Sequence, residues 1–295
     1  MRRDDEPKGA VLIPGPVSAA LHTAAVWVVL VVLAVAACSG SGAERAPWPD
    51  GLTAFSSREP FDYQSRHAFV RFVIDPEREV TVTRVEISSP RFEEVIWTGT
   101  ETFDRVWDLD FELPLGECGG NVDAEVTLTY AIDDGSRQTS RTTVEDRYES
   151  IRSTLDRDCA ATTLREAAEM RLGEGRVVGQ GRHSVYVLPV TFTPTGERDD
   201  VTFRGVGSTV LFRHVAGSAS EESGTRISLT GDPVTVHVRL EPARCDEHAL
   251  MEGKRGTYIP VRVQAPKLRG ESFYLPLDNQ GRGALMEFFA SHCGL

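Results

Sequence analysis

Two cysteines and two histidines near the end of the chain could form a metal site. Cys245 and His248 lie within one short segment, and His292 directly precedes Cys293. Thiolate sulfur and imidazole nitrogen are the ligands that zinc prefers in structural sites, but an adjacent His-Cys pair does not have zinc-finger spacing. The sequence therefore favours a disulfide between Cys245 and Cys293. A zinc site formed by Cys245, His248, His292 and Cys293 is the alternative.

The chain carries none of the common catalytic signatures, such as Gly-x-Ser-x-Gly or His-Glu-x-x-His, and no glycine-rich phosphate loop. We therefore predict a non-catalytic protein without a cofactor. Several basic residues lie just before, or between, stretches that alternate apolar and polar residues. A structural role is favoured for them, at a strand edge or in a solvated turn, and ligand binding is the alternative. These candidate contacts are Arg66, His67, Arg182, His183, Lys254 and Arg255.

Similar sequence blocks recur in the same order in the two halves of the chain. Three blocks alternate apolar and polar residues, and the fourth has apolar residues and a cysteine at helical spacing. The pairs are 66–74 and 182–190, 80–85 and 201–206, 107–113 and 234–240, and 151–159 and 285–293. Four matches in one order predict an internal duplication.

The period-two alternation predicts a mainly β fold. Strands with one apolar and one polar face are typical of antiparallel sheets. Short strands separated by Gly, Pro, Asp and Ser predict two tandem homologous β-sandwich domains of immunoglobulin-like architecture, at 59–160 and 161–295. A short helix is expected to close each domain, and Thr163-x-x-Glu166 resembles a capping box that would open a linking helix near 163–172.

The duplication also predicts how the cysteines pair. If each copy folds by itself, Cys118 pairs with Cys159 and Cys245 pairs with Cys293. The later cysteine of each copy lies on the apolar stripe of its helix, so its sulfur should point towards the end of the strand that precedes the earlier cysteine. An even number of cysteines suits an oxidising compartment. Each disulfide would connect a helix to a sheet.

An apolar run at 24–37 has the length of a signal-peptide core and is expected to form a hydrophobic helix. It ends in Val35-Ala36-Ala37-Cys38, followed by Ser39-Gly40-Ser41-Gly42, which resembles the lipobox of bacterial lipoproteins. The resemblance covers residues 1–38 and implies cleavage before Cys38 and a diacylglyceryl thioether on its sulfur. An uncleaved signal anchor is the alternative.

These observations define the predicted organisation and function. Residues 1–37 are a signal peptide or membrane anchor, and 38–58, rich in Ser, Gly, Ala and Pro, are predicted to be a flexible tether. The formal net charge of −12 argues against a nucleic-acid partner. The chain is therefore expected to be lipid-anchored at a bacterial cell membrane through Cys38 or held by segment 24–37, with its ectodomain outside the cytoplasm.

The expected activity of this ectodomain is binding, with an envelope protein or polymer as the partner. Exposed loops on a rigid β scaffold suit that role. The alternatives are a single-pass, signal-anchored protein with the same ectodomain, or a metal-binding module, ligand-binding module or enzyme that uses the region of Cys245, His248 and His292.

Overall fold

A computed structural model of the chain describes residues 45–58, 66–246, 248, 251, 256–266, 268 and 272–295. This part is mainly β structure, which confirms the predicted class. The apolar segment 24–37 and Cys38 lie outside the described residues. Within the described part, no helix combines the length and the apolar character needed to span a membrane.

Alternating apolar residues form the strands of the first half of the chain. They are β1 (Thr53–Arg58), β2 (His67–Val73), β3 (Val80–Ser89), β4 (Phe92–Phe103), β5 (Val106–Glu112), β6 (Ala124–Ile132) and β7 (Gln138–Asp146). The strands are hydrogen-bonded in the order β4-β3-β6-β7-β1-β2-β5, and β1 is parallel to β7. Inward-facing side chains such as Val70, Phe72 and Val85 are fully buried in one core.

Strand β1 corrects the prediction of a flexible tether through residue 58. It pairs with β2 on one side and with β7 on the other. Its buried Ser56 hydroxyl donates to the Glu145 carbonyl at 3.2 Å, and the hydroxyls of Ser57 and Ser150 lie 3.3 Å apart. Because distant parts of the chain satisfy its polar groups, β1 can be buried with a linker-like composition. Residues 38–44 of the predicted tether lie outside the described part.

Helix α1 (Ser150–Ala167) begins directly after β7 and is capped from that strand. The Asp146 carboxylate accepts hydrogen bonds from the backbone N–H groups of Ser150, at 3.1 Å, and Arg152, at 2.7 Å. These N–H groups have no partner within the helix. The helix then contributes Leu155 to the core of the first half and Leu164 to the core of the second half.

The linking helix predicted near 163–172 is wrong in its second part. Helix α1 ends at Ala167, and β8 (Ala168–Leu172) follows without a loop. Thr163 and Glu166 therefore lie in the last turns of a helix and not at a helix start. Residues 168–172 form a strand because they pair antiparallel with β10, and their own alternation of burial has period two.

The second half forms two sheets around one core. Its strands after β8 are β9 (Arg176–Val178), β10 (Val185–Pro194), β11 (Thr202–Val206), β12 (Phe212–His214), β13 (Ile227–Ser228), β14 (Val234–Pro242), β15 (Pro260–Gln264) and β16 (Ser272–Tyr274). One sheet has the order β12-β14-β10-β8, with β9 also paired to β10, and the other has the order β13-β11-β15-β16. Helix α2 (Asn279–Cys293) packs into the same core through Leu285 and Phe289.

Strand pairings of the first half recur in the second half. For one pair of sequence blocks, however, the strand register matches different residues from those that the sequence matched. β2 pairs with β1 and β5, and β10 pairs with β8 and β14. Phe72 lies opposite Trp107, and Phe192 lies opposite Val234. If Trp107 and Val234 are equivalent, Phe72 corresponds to Phe192 and not to Leu188 as the sequence blocks suggested. Period-two alternation permits any even shift, so it could not fix this register.

Both disulfides that the repeat predicts are present. Cys118 is bonded to Cys159 of α1 across a sequence separation of 41, with a Cα–Cα distance of 5.0 Å. Cys245 is bonded to Cys293 of α2 across a separation of 48, with a Cα–Cα distance of 5.2 Å. Each bond joins a segment that follows a strand, β5 or β14, to a helix, in the middle of α1 at Cys159 and at the end of α2 at Cys293.

We expect loss of the Cys118–Cys159 bond to destabilise the fold strongly. Closing a loop of this length restricts the unfolded chain by roughly 4 kcal/mol in the chain-entropy model. The C118A/C159A variant should lose about 2–5 kcal/mol of unfolding free energy in urea titrations. C245A/C293A is the matched comparison for the second half. An unchanged midpoint in either variant would contradict a stabilising role for that bond.

Asp146 should make the protein less stable as pH rises, whereas an acid in a salt bridge makes a protein more stable as pH rises. Burial raises the pKa of its carboxyl, and the backbone hydrogen bonds of α1 only partly offset this effect. The folded state therefore binds the proton more tightly, and this contribution to stability is lost as pH rises from the unfolded pKa through the raised folded pKa.

Asp146→Asn removes this titration while keeping one acceptor oxygen. The free energy lost by the variant, measured by urea unfolding at several pH values from 4 to 7, should be larger at the acid end. A loss that grows with pH would show instead that the charged carboxylate stabilises the helix start. Asp199→Asn, at an exposed position, is the control.

Candidate functional site

Arg66, a predicted ligand contact, is used to hold α1 against the sheet. Its guanidinium contacts both carboxylate oxygens of Asp158, at 3.0 and 2.9 Å, and its Nε donates to the Leu113 carbonyl at 2.7 Å. Asp158 also accepts from the backbone N–H of Gly116 at 3.0 Å. The arginine thus joins the start of β2, the end of β5 and α1.

The other Arg-His dipeptide has a different environment. Arg182 and His183 are exposed and lie in a 3-10 turn, Gly181–His183, before β10. His67 is exposed within β2, opposite Glu112 of β5. The local conformations of the two dipeptides therefore differ.

The disulfide changes the chemistry of the Cys245 region. Neither Cys245 nor Cys293 keeps a thiolate, so the zinc alternative loses both of its sulfur ligands. His292 is buried, and its Nδ1 lies 3.1 Å from both the hydroxyl and the carbonyl oxygen of Ser184. The Ser184 hydroxyl itself donates to the Gly181 carbonyl at 2.6 Å, so Nδ1 of His292 is the donor to Ser184.

The other predicted site residues do not form a further group of functional side chains in the part of the chain that the structure describes. His248 is exposed, and Lys254 and Arg255 lie outside the described residues, as does Cys38. In the described part of the chain, no three His, Cys, Asp or Glu side chains are grouped closely enough to hold a metal ion.

A polar surface cavity of about 630 Å³ lies on the outer face of the sheet β13-β11-β15-β16. Phe203 of β11 and Val263 of β15 point to the core, so their strand neighbours point outwards. Thr202 lies opposite both Ser228 and Gln264 in the register. We call this cavity the arginine basin, and its lining residues are Asp200, Thr202, Arg204, Arg226, Ser228, Gln264, Ala265 and Pro266.

Two guanidinium groups of the basin have no carboxylate partner among the described residues. Arg204 donates through Nη1 to Oε1 of Gln264, which is a neutral acceptor, and its Nε is buried without a hydrogen-bond partner. Arg226 is exposed and makes no ion pair in that part of the chain. The basin therefore presents hydrogen-bond donors and positive charge that the fold itself does not use.

The acid of the basin is already engaged. Asp200 accepts two hydrogen bonds from Arg198, at 2.6 and 3.2 Å, and these bonds hold the pKa of its carboxyl below the usual value. Arg198 also contacts Glu166 at 2.8 Å, and the two acids raise the pKa of its guanidinium. Asp200 thus stays ionised and is neutralised by Arg198.

A second cavity, of about 530 Å³, lies beside the segment that precedes β1. Trp48 and Tyr130 line it together with residues of the β6–β7 turn. Their polar atoms are used internally, because the Trp48 indole donates to the Leu52 carbonyl at 2.8 Å and the Tyr130 hydroxyl lies 3.0 Å from that of Ser140. This cavity offers fewer unused donors than the arginine basin.

Sequence reasoning missed the arginine basin. Arg204 lies in β11, Arg226 directly precedes β13 and Gln264 ends β15, and these three strands are paired in space but separated by long connections. The alternation Thr202-x-Arg204 indicates an outward face, but strand alternation does not reveal which other strand lies beside it.

Comparisons with known proteins give no family. No protein-family model and no curated protein matches the chain. Among solved structures, the chain is similar to the calcium-binding domain CBD12 of CALX1.1, with 9% identity over 76% of this chain and 80% of that chain and a TM-score of 0.19.

Two other solved structures are similarly distant. A crystal structure of the exo-beta-D-glucosaminidase CsxA shows 11% identity over 76% of this chain and 26% of that chain, with a TM-score of 0.19. Spo0M, a sporulation control protein from Bacillus subtilis, shows 15% identity over 70% of this chain and 96% of that chain, with a TM-score of 0.16. These TM-scores establish neither a shared fold nor a shared function.

The contact between Arg66 and Asp158 can be tested through stability. Asp158→Asn leaves a partly buried guanidinium without its charged partner and should cost about 2 kcal/mol. The R66L/D158L double variant should lose less stability than the sum of the losses in R66L and D158L, because it leaves no unpaired charge. Urea unfolding measures all four variants. Wild-type stability in every variant would contradict a structural role for Arg66.

Proposed function

We propose that this protein is a membrane-tethered bacterial lipoprotein whose ectodomain, outside the cytoplasm, binds an envelope component without catalysing a reaction. The ectodomain would consist of two tandem, homologous β-sandwich domains of immunoglobulin-like architecture, with α1 ending the first copy. The observation that carries the binding role is the arginine basin, an open cavity in which Arg204 and Arg226 have no carboxylate partner among the described residues and Nε of Arg204 has no hydrogen-bond partner.

The recurrence of strand pairings supports the tandem architecture. In the first half, β3 lies between β4 and β6, and in the second half β11 lies between β13 and β15. Each half has its own buried apolar cluster, and each has one disulfide that ends on a helix. One ancestral domain that was duplicated accounts for these shared features.

The lipobox-like segment and the disulfides support the location. Disulfides persist in oxidising compartments outside the cytoplasm. A lipidated Cys38 would attach the chain to the membrane, and residues 39–44 would connect it to the part that the structure describes from residue 45 onwards. The alternative, an uncleaved signal anchor at 24–37, places the same ectodomain on the same side of the membrane.

The candidate functional side chains favour a binding role over catalysis, because several of them are already engaged in contacts that hold the fold together. The sulfurs near His248 and His292 form a disulfide, and Arg66 is bound to Asp158. An enzyme or metal module at Cys245 would need a free thiolate there. The arginine basin has binding groups, but it presents no nucleophile beside a general base among its lining residues.

The tether is tested by mass spectrometry of the full chain extracted from bacterial membranes. We expect the mature N-terminus to be Cys38 carrying a diacylglyceryl group. Cys38→Ser should abolish the lipid mass, whereas Ser39→Ala, the matched neighbour, should retain it. An intact leader with an unmodified Cys38 would overturn lipidation in favour of the signal anchor, and recovery of the full chain in the cytosol would overturn both.

The binding role is tested in the same membranes. Crosslinking of the tethered chain should capture an envelope protein or polymer, and the capture should decrease when Arg204 and Arg226 are both replaced by Gln. A chain that turns over an envelope component, with product detected by chromatography, would contradict a non-catalytic role.

A further inference from the structure

We infer that the arginine basin is a binding site for an oxyanion, a carboxylate or phosphate group carried by a polar ligand, and that Arg204 and Arg226 form its centre. This inference deepens the proposed binding function and rests on it. It names the chemistry of the ligand and the residues that recognise it.

The first argument is the placement of two like charges. Phe203 of β11 lies opposite Ile227 of β13, and the next residue on each side is Arg204 or Arg226. Both side chains line the same cavity. Two guanidinium charges on the lining of one cavity repel each other. A bound anion would turn this repulsion into two attractions.

The second argument is the contrast with the surrounding arginines. Arg198 is paired with Asp200 and Glu166, and Arg262 lies 3.1 Å from Glu221. In a chain with a net charge of −12, carboxylates are plentiful, yet none reaches Arg204 or Arg226 in the described part. The buried Nε of Arg204 also lacks a hydrogen-bond partner there. Unsatisfied buried donors are costly, so a ligand that accepts this hydrogen bond would be stabilised.

The third argument is the match between the donors and an oxyanion. A guanidinium presents a planar set of N–H donors that fits carboxylate and phosphate oxygens. The hydroxyls of Thr202 and Ser228 face the same cavity. Because Oε1 of Gln264 accepts from Arg204, the amide nitrogen of Gln264 can donate to a ligand.

The size and rim of the basin limit the ligand further. A volume of about 630 Å³ is that of a site for a small organic molecule or one unit of a polymer. The carboxylate of Asp200 at the rim is already paired with Arg198, so it leaves the positive charges of Arg204 and Arg226 available to a ligand. The two guanidinium groups thus fit a polar unit that carries one anionic group, such as an acidic or phosphorylated sugar.

Isothermal titration of the full chain in detergent tests the inference with three probes: inorganic phosphate, glucuronate and glucose. We expect phosphate or glucuronate to bind with one site per chain and glucose not to bind. Binding of phosphate alone identifies a phosphate group as the ligand chemistry, and binding of glucuronate alone identifies a carboxylate. If neither anion binds, the inference is wrong.

Substitutions locate the site. Arg204→Gln and Arg226→Gln should each weaken anion affinity about tenfold, the effect expected for one charged hydrogen-bonding partner. Arg182→Gln, an exposed arginine on the 3-10 turn outside the basin, is the matched control and should leave the affinity unchanged. Equal losses in Arg182→Gln and the basin variants would assign the binding to general charge and overturn the site.

The melting temperature without ligand shows whether a variant has lost its fold or only its anion binding. Arg226→Gln removes one of two repelling charges, so its Tm without ligand should equal or exceed that of the wild type. Arg204→Lys keeps the charge but loses the planar donors, and its affinity should lie between those of the wild type and Arg204→Gln. A lipidated Cys38 without anion binding would refute the basin alone, whereas anion binding by a chain without lipid would refute the tether alone.

Discussion

The burial of helix α1 against two apolar cores is the constraint on which the rest of the described structure depends. Leu155 packs into the core of the first half, and Leu164, little more than two turns later, packs into the core of the second half. The helix starts at a cap supplied by β7 and continues directly into β8. No loop separates α1 from β8, which is the edge strand of one sheet of the second half. Stability in the two halves should therefore be coupled through this one element.

Each half fixes its helix to the sheet at corresponding positions but with different chemistry. In the first half, Asp158, just before Cys159, binds Arg66 with two hydrogen bonds. In the second half, His292 precedes Cys293 and packs against Phe288, which also contacts Tyr186, with ring centroids 5.6 Å apart in both pairs. Burial raises the pKa of the Tyr186 hydroxyl. An ion pair and an aromatic cluster thus occupy places that the strand register makes equivalent. Each half has its own disulfide from the helix to the segment after a strand, and the residue before the helical cysteine differs between the halves.

Several features could be predicted because they depend on local patterns. Alternation of apolar residues indicated the strands, and the order of the repeated blocks indicated which cysteines pair. Other features depend on partners that are distant in the sequence. The polar strand β1 is buried because β2, β7 and α1 satisfy its groups, and the strand at 168–172 forms because β10 lies beside it. The equivalence of Phe72 with Phe192 required the observed register, since alternation permits any even shift.

The sequence by itself determined the mainly β class, the two disulfides and the absence of known catalytic motifs, because each follows from residue type and spacing along the chain. It also supplied the lipobox-like segment that predicts the location. Only the tertiary structure decided which charged groups remain without a partner. Arg66 and Arg204 are equally basic in sequence, but the fold places Arg66 beside Asp158 and places Arg204 and Arg226 on the lining of one cavity. Whether an arginine supports the fold or is left to bind a ligand depends on its neighbours in space, and those neighbours are brought together by strand pairing over long distances in the chain.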